Sequence, residues 1–149
     1  MMNVNIETIE EDDYEVLIAL FKEFAIFEKM PDKMINTVEK MKQEKYLFNG
    51  FVVKDETKNI LGYVIFYFVY FTWAGKALYM DDLYVRAKYR GQGLGSALIN
   101  KVIEYAKNNG CSKLRWQVSN WNYEAINFYE SIGAEINPVE NNCDLVFNG

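Results

Sequence analysis

Histidine is absent from this chain of 149 residues, and only two cysteines and two prolines are present. The lack of histidine excludes Ser-His-Asp and Cys-His catalysis in their usual forms. Two cysteines, Cys111 and Cys143, are too few for a disulfide framework or for most zinc sites. We therefore expect no metal, and a general base would be a carboxylate, a tyrosine, a lysine or a relayed water.

Long hydrophobic runs are also missing. The most extended one, Ile60 to Phe71, falls well short of the roughly 20 residues that a membrane-spanning helix needs. The N-terminus is acidic and has no apolar segment, so we expect no signal peptide and no membrane association. Together with the sparse cysteines, this predicts a cytoplasmic protein.

Clustered positive charge is lacking as well, since the formal net charge is −5. Nucleic acid is therefore an unfavourable partner, because phosphate neutralisation needs clustered Lys and Arg. The acidity mildly favours cationic ligands. Half of the chain is apolar, and its length predicts one domain over residues 1–149 with a substantial core.

Hydrophobic periodicity and turn residues predict the order β-α-α-β-β-β-α-β-α-β. The first part reads as antiparallel, followed by a β-α-β crossover. The predicted strands are 3–7, 51–54, 60–69, 77–85, 113–118 and a last one including 145–147. The predicted helices begin near residue 12 and cover about 37–45, 96–108 and 124–132.

The most informative segment is Arg90-Gly91-Gln92-Gly93-Leu94-Gly95-Ser96, between a predicted strand and a predicted helix. Glycines at alternate positions leave backbone N–H groups accessible at the positive end of the helix, where a pyrophosphate can bind. A dinucleotide fingerprint needs Gly or Ala where Ser96 stands, and an acid where the basic residues 113–115 lie. A Walker A loop needs a Lys that is missing here.

Three blocks, taken together, resemble the GCN5-related N-acetyltransferase superfamily, and in particular its diamine branch of spermidine/spermine and thialysine N-acetyltransferases. They are WAGKALYMDDLYV (73–85), YRGQGLGSALI (89–99) and NWNYEAINFYESIGA (120–134). The spacing of Arg90, Gly93 and Gly95 fits the acetyl-CoA-binding pattern R/Q-x-x-G-x-G/A. The resemblance implies an α/β (α+β) fold: a mixed, mostly antiparallel twisted sheet of about six to seven strands, flanked by about four helices.

The resemblance also implies where acetyl-CoA would bind and how its thiolate would be protonated. The end of the predicted strand 77–85 would pair through its backbone with the pantetheine arm. A bulge nearby would leave the Leu83 N–H free to polarise the acetyl carbonyl. Tyr129 matches the tyrosine that protonates the departing thiolate. The implied cofactor-binding residues are Leu83, Tyr84, Val85, Arg90, Gly91, Gln92, Gly93, Leu94, Gly95, Ser96, Asn122, Tyr123, Glu124 and Ala125.

An amine acceptor must lose a proton before it attacks a thioester, and acids near the acyl carbon can take that proton. Asp81 and Asp82 end the relevant strand, where alternation predicts that they point to opposite faces. Asp81 occupies a position that is Glu in the diamine branch; because it is one methylene shorter, we expect it to act through water. The predicted substrate-binding residues are Glu28, Trp73, Asp81, Asp82 and Gln117.

These observations predict an acetyl-CoA-dependent N-acetyltransferase that acts on a small primary amine by direct transfer in a ternary complex. The resemblance further implies a homodimer. Three alternatives stay open at this point: a CoA-binding module without transfer activity, an acetyltransferase of peptide amines, and, less favoured by Ser96, a nicotinamide-dependent oxidoreductase.

Overall fold

The computed structural model describes residues 3–147, and the chain forms two compact units, Met1–Gln117 and Val118–Gly149. The first unit contains a five-stranded sheet in the order β1-β2-β3-β4-β5. Its strands are β1 Asn5–Thr8, β2 Asn49–Lys54, β3 Ile60–Phe71, β4 Gly75–Val85 and β5 Leu114–Arg115. The single domain predicted over 1–149 stays a prediction.

Within residues 3–147, three α-helices belong to the first unit and one to the second. They are α1 Tyr14–Phe27, α2 Val38–Gln43, α3 Leu94–Asn108 and α4 Tyr123–Ser131, with 3-10 turns at Glu11–Asp13, Pro31–Lys33, Lys45–Leu47 and Ala87–Tyr89. The predicted order is confirmed from β1 to α4. No helix within residues 3–147 is both long and apolar enough to cross a membrane.

The sheet is antiparallel from β1 to β4, while β5 pairs parallel to β4 after the α3 crossover. The β3–β4 hairpin is longer than its neighbours, because β2 pairs with β3 only as far as Phe66. Residues 67–71 of β3 therefore pair with β4 alone. The extension carries aromatic side chains beyond the end of the β2 pairing.

Helices cover both faces of the sheet, because side chains alternate along each strand. On one face Tyr63 and Ile65 of β3 pack with Leu17 and Leu20 of α1 and with Met41 of α2. On the other face Phe66 lies 5.1 Å from the ring of Tyr105 of α3. Fully burying an aliphatic or aromatic side chain contributes about 1.5–3 kcal/mol, so this alternation fixes the register of β3.

The predicted last strand over 145–147 is wrong. Leu145, Val146 and Phe147 form no strand, and their exposed fractions are 81%, 76% and 86%. The strand predicted over 113–118 is also shorter than expected, since β5 covers only Leu114–Arg115. Strand propensity reflects packing against a paired neighbour, so β-branched and aromatic residues alone do not create a strand.

Candidate active site

The glycine segment forms the turn between β4 and α3. Gly91 and Gly93 have φ values of 78° and 81°, and Gly93 is the N-cap of α3. These left-handed conformations explain why the turn needs glycine at both positions. A Cβ atom at either glycine would meet nothing within 4 Å, so the space around the turn is open.

The first turn of α3 presents backbone donors to that open space. Ala97 N–H donates to the Gly93 carbonyl at 3.0 Å, which begins the helical hydrogen-bond ladder. The N–H groups of Leu94, Gly95 and Ser96 precede this bond and have no acceptor inside the helix. Three backbone donors at the positive end of a 15-residue helix suit an anionic phosphate group.

The Arg90 side chain anchors the glycine turn to the sheet and does not extend into the open space beside the turn. Its Nε donates to the Val85 carbonyl at 2.8 Å. Its guanidinium carbon lies 4.9 Å from the ring centre of Phe27 and 5.4 Å from that of Tyr84. The side chain thus ties the loop to the ends of β4 and α1.

A β-bulge interrupts β4 at Asp81. Ile65 of β3 pairs with Asp82, whereas the next residue, Phe66, pairs with Met80, so Asp81 is an extra residue in the ladder. The bulge breaks the alternation that predicted opposite faces for the two aspartates. The charge of Asp81 raises the pKa of Asp82 and of Tyr67, so the two carboxylates influence each other, and their placement on opposite faces stays a prediction.

Leu83 lies just beyond the bulge, at a position where its backbone faces away from β3. Arg86 N–H donates to the Leu61 carbonyl at 2.9 Å, and hydrogen-bonded pairs alternate along an antiparallel ladder. Leu83, paired with Val64, therefore directs its N–H toward the β5 side. Since β5 ends at Arg115, opposite Tyr79, this N–H lies beyond the parallel pairing.

Asp82, which is half-buried, is the centre of a polar cluster. The Tyr63 hydroxyl, on a side chain with no exposed surface, donates to Asp82 Oδ2 at 3.2 Å. Burial, followed by the charge of Asp81, raises the pKa of Asp82 to about 7, and Glu28 adds to this effect while the Tyr63 hydrogen bond opposes it. A carboxyl that titrates near neutrality can both accept and release a proton at physiological pH.

Asp81 and the nearby tyrosines extend this cluster along the sheet. Desolvation by the surrounding protein raises the pKa of Asp81, although its side chain is exposed. Burial, followed by the charge of Asp81, raises the pKa of Tyr67 to about 12. The Tyr67 and Tyr79 rings stack with centres 5.6 Å apart. The tyrosines therefore stay neutral beside the acids.

The structure brings Glu28, Asp81 and Asp82 together, but it does not bring Trp73 to them. Trp73 lies in the β3–β4 turn with a side chain that is 101% exposed. Asp82 lies nine positions after it along the turn and β4, a distance of roughly 25–30 Å in an extended chain. Gln117 is exposed and follows β5 at the end of the first unit.

Sequence reasoning missed the three tyrosines of the site, Tyr63, Tyr67 and Tyr79. Their signal was their spacing: Tyr63 and Tyr67 are four residues apart on one strand and so share a face. Which face they share depends on the pairing of β3 with β4, and no local pattern specifies that register.

In the second unit, helix α4 and its N-cap carry the remaining predicted site residues. Asn122 caps α4, its Oδ1 accepting a hydrogen bond from the Ala125 N–H at 3.2 Å. Tyr123 is 72% exposed, and Glu124 lies in the first helical turn. Tyr129 is buried, and its ring centre lies 5.4 Å from that of Phe128.

A separate pocket of about 280 Å³ is lined by residues of β1, α1, β2 and the turns next to them, among them Tyr14, Lys45 and Gly50. None of its lining residues belongs to the acidic cluster or the glycine turn. The chemistry described above therefore lies along β4 and not in this pocket.

Known proteins resemble the chain in sequence and in fold. Residues 9–134 match the model of the acetyltransferase (GNAT) family. Thialysine N-epsilon-acetyltransferase of Caenorhabditis elegans is 38% identical over 136 residues, covering 89% of this chain and 83% of that protein. The same enzyme of Sus scrofa is 33% identical over 145 residues, covering 90% and 85%.

A solved aminoglycoside acetyltransferase from an uncultured soil metagenomic sample, in complex with trehalose, superimposes with a TM-score of 0.80. It is 25% identical, and the match covers 96% of this chain and 97% of that one. Sequence and fold thus agree on one family.

Proposed function

Because the chain belongs to the acetyltransferase (GNAT) family, we propose that it transfers the acetyl group of acetyl-CoA to a primary amine of a small cationic acceptor. The observation that carries this proposal is the β4 bulge. It places a carboxyl with a pKa of about 7 two residues after Met80 and directly before Leu83, whose N–H faces the β5 side. An acid and a backbone donor on adjacent residues are what acyl transfer to an amine requires.

On the donor side, acetyl-CoA supplies the acetyl group as a thioester. The N–H groups of Leu94, Gly95 and Ser96 hold its pyrophosphate, with the turn anchored by Arg90. The Leu83 N–H donates to the thioester carbonyl oxygen, and this hydrogen bond strengthens as negative charge develops on the oxygen. Removal of one such donor typically lowers kcat by about 10²–10³.

On the acceptor side, the three carboxylates of Glu28, Asp81 and Asp82 attract an ammonium group. Asp82, in its ionised form, accepts the proton that the ammonium must lose before its nitrogen can attack. Asp81, exposed and shorter than Glu, relays through water and adds negative charge. Positioned acid–base groups of this kind contribute about 10²–10⁴ to a rate.

Tyr129 of α4 donates a proton to the departing thiolate. A phenol with an ordinary pKa near 10 can protonate a thiolate whose acid has a pKa near 8.5 when the two are held together. The block NFY at 127–129 supports this role, as does the Asn122 cap that fixes the start of the helix. The homodimer and the cytoplasmic location stay predictions.

The experiment is a thiol-release assay in which free CoA is measured with acetyl-CoA and a panel of diamines, lysine, thialysine and peptide N-termini. We expect release above hydrolysis with at least one small amine. Tyr129→Phe should lower kcat by about 10²-fold or more while acetyl-CoA affinity is retained. Tyr46→Phe, which removes the hydroxyl of an 80% exposed tyrosine of the first unit, is the matched control.

Binding of acetyl-CoA without release for any amine would instead favour the CoA-binding module. Release with peptides alone would favour the peptide acetyltransferase. A thermal shift with NAD but not with acetyl-CoA would contradict the whole proposal. These outcomes distinguish between the alternatives that the sequence leaves open.

A further inference from the structure

The pocket of about 280 Å³ beside β1, α1 and β2 lies apart from the acidic cluster and the glycine turn. Its apolar wall consists of Ile9 and the rings of Tyr14 and Phe48. The two ring centres lie 6.0 Å apart, and the rings are tilted by 48°. A cavity needs only about 10–15 Å³ to hold one water molecule. This pocket therefore has room for a small organic molecule.

The Tyr14 hydroxyl gives the pocket an unused hydrogen-bonding group. Tyr14 is only 4% exposed, and within residues 3–147 its hydroxyl takes part in no hydrogen bond. In that part of the chain no side-chain oxygen that is sealed from solvent lacks a partner, so the Tyr14 oxygen must reach open space. The pocket is the open space that Tyr14 lines. Because a buried tyrosine hydroxyl usually has a partner, the unpaired one indicates a ligand that would supply it.

Two opposite charges meet beside this hydroxyl. Lys45 Nζ lies 2.7 Å from Glu11 Oε2, and both residues line the pocket. Burial raises the pKa of Tyr14, the charge of Glu11 raises it further, and the charge of Lys45 lowers it. Both charges therefore lie close to the Tyr14 hydroxyl. Glu10 adds a second carboxylate to the wall of the pocket.

The ion pair between Glu11 and Lys45 can exchange its partners for those of a ligand. The two side chains are 44% and 59% exposed, and exposed ion pairs contribute little to stability. A ligand with one ammonium and one carboxylate would give each side chain a new partner. A plain cation would meet the Lys45 ammonium, and a plain anion would meet the carboxylates of Glu10 and Glu11. The charges of the pocket thus favour a zwitterion.

We propose that this pocket binds a small zwitterion, namely an α-amino acid with an apolar side chain. Its ammonium binds the Glu11 carboxylate. Its carboxylate binds the Lys45 ammonium and accepts a hydrogen bond from the Tyr14 hydroxyl, and such charge-assisted hydrogen bonds are the strong ones. Its apolar side chain packs against Ile9 and Phe48.

This ligand is a second molecule and not the acetyl acceptor. The pocket lies at the first turn of α1, whereas Glu28 of the acidic cluster is the C-cap of that helix. A helix of 14 residues is about 21 Å long at 1.5 Å per residue. The inference therefore does not depend on the proposed acetyl transfer, and it can be tested by binding alone.

The test uses three probes that share one hydrocarbon chain and differ in charge: L-leucine, 3-methylbutan-1-amine and 4-methylpentanoate. Each is titrated into the full chain and followed by NMR. The amide shifts of Asn49 and Gly50 report occupancy of the pocket, and that of Leu83 reports binding near the acids. At Asn49 and Gly50 we expect a dissociation constant of about 1 mM or lower for L-leucine. The two singly charged probes should bind there at least about tenfold more weakly.

Three variants show whether the named side chains are responsible. Tyr14→Phe keeps the ring and removes a hydroxyl that has no partner to lose, and it should weaken L-leucine about fivefold. Lys45→Gln should weaken L-leucine about tenfold and leave 3-methylbutan-1-amine bound equally or more tightly. Lys40→Gln, which removes an exposed charge on α2, is the control and should leave all three affinities unchanged.

Three results would overturn the inference. The first is an unshifted Gly50 amide at about 20 mM L-leucine, far above the expected dissociation constant. The second is equal affinity of the three probes at this amide, which would mean that the pocket reads only the hydrocarbon chain. The third is an L-leucine affinity that stays the same in both Tyr14→Phe and Lys45→Gln.

Discussion

The two halves of the site on the first unit are built from different materials. The α3 turn is made of backbone: two glycines with positive φ and three N–H groups of one helical turn. The acidic face is made of side chains brought together from α1, β3 and β4, with Asp82 bound to Tyr63 across 19 positions of sequence. One half is local in the chain, and the other exists only after folding.

This difference decides how each half responds to substitution. A backbone site tolerates many side chains but depends on a few φ values, so its weak points are glycines. A side-chain cluster depends on burial, charge and pairing, so its weak points are single polar atoms. Substitutions in the two halves should therefore separate binding of the donor from chemistry on the acceptor.

The largest effect is expected from Asp82→Asn, because it removes the proposed proton acceptor. We expect kcat/KM for the amine to fall about 10²–10³-fold, with the KM for acetyl-CoA nearly unchanged. Steady-state kinetics with each substrate varied in turn measures both quantities. A kcat/KM for the amine that is the same in Asp82→Asn as in the wild type would contradict the role of Asp82. A rise in the acetyl-CoA KM alone would contradict the separation of the two halves.

The same variant should gain stability at alkaline pH. The folded-state pKa of Asp82 is about 7, above the ordinary aspartate value of 3.8, so its contribution to stability is complete below pH 4 and is lost as pH rises through 7. Asparagine does not ionise, so Asp82→Asn does not lose stability in this way as pH rises. We expect its melting temperature to exceed that of the wild type at pH 8, with the difference shrinking at pH 5. Calorimetric melts at the two pH values measure it, and a pH-independent difference would contradict the burial of this charge.

The sequence predicts the α3 half well because its signals are local. Gly91, Gly93 and Gly95 lie within five positions, and the helix after them begins at Leu94, two residues before the predicted start. The acidic half is only partly predictable, since the sequence identifies Asp81, Asp82 and Glu28 but not the hydrogen bond of Tyr63 to Asp82. That contact depends on the β3–β4 register, in which Asp81 is an extra residue, and register is a property of two strands and not of one.

An intermediate effect is expected from Gly93→Ala. The space around Gly93 is open, so the strain comes only from its φ of 81°. A left-handed conformation costs a residue with a Cβ about 1–2 kcal/mol. We expect a five- to thirtyfold rise in the acetyl-CoA KM with an unchanged preference among amines. Gly110→Ala, which places the same strain after α3 at a φ of 71°, is the matched control for stability.

The smallest effect at neutral pH is expected from Tyr63→Phe, and its pH dependence identifies it. The Tyr63 hydroxyl donates to the ionised form of Asp82, so its removal raises the pKa of Asp82 further. Asp81 and Glu28, which also face Asp82, act in the same raising direction and stay in place. Less Asp82 is then ionised at pH 7, and we expect kcat/KM for the amine to fall about fivefold there.

At pH 9 the loss should largely disappear, because Asp82 is ionised with or without its donor. The pH profile of kcat/KM, with the ¹³C titration of the Asp82 carboxyl, measures this shift directly. Tyr14→Phe removes the hydroxyl of another buried tyrosine of the same core and should leave the profile in place. A uniform loss at all pH values would mean that Tyr63 acts only through packing, and the acidic half would then be tuned by burial and charge alone.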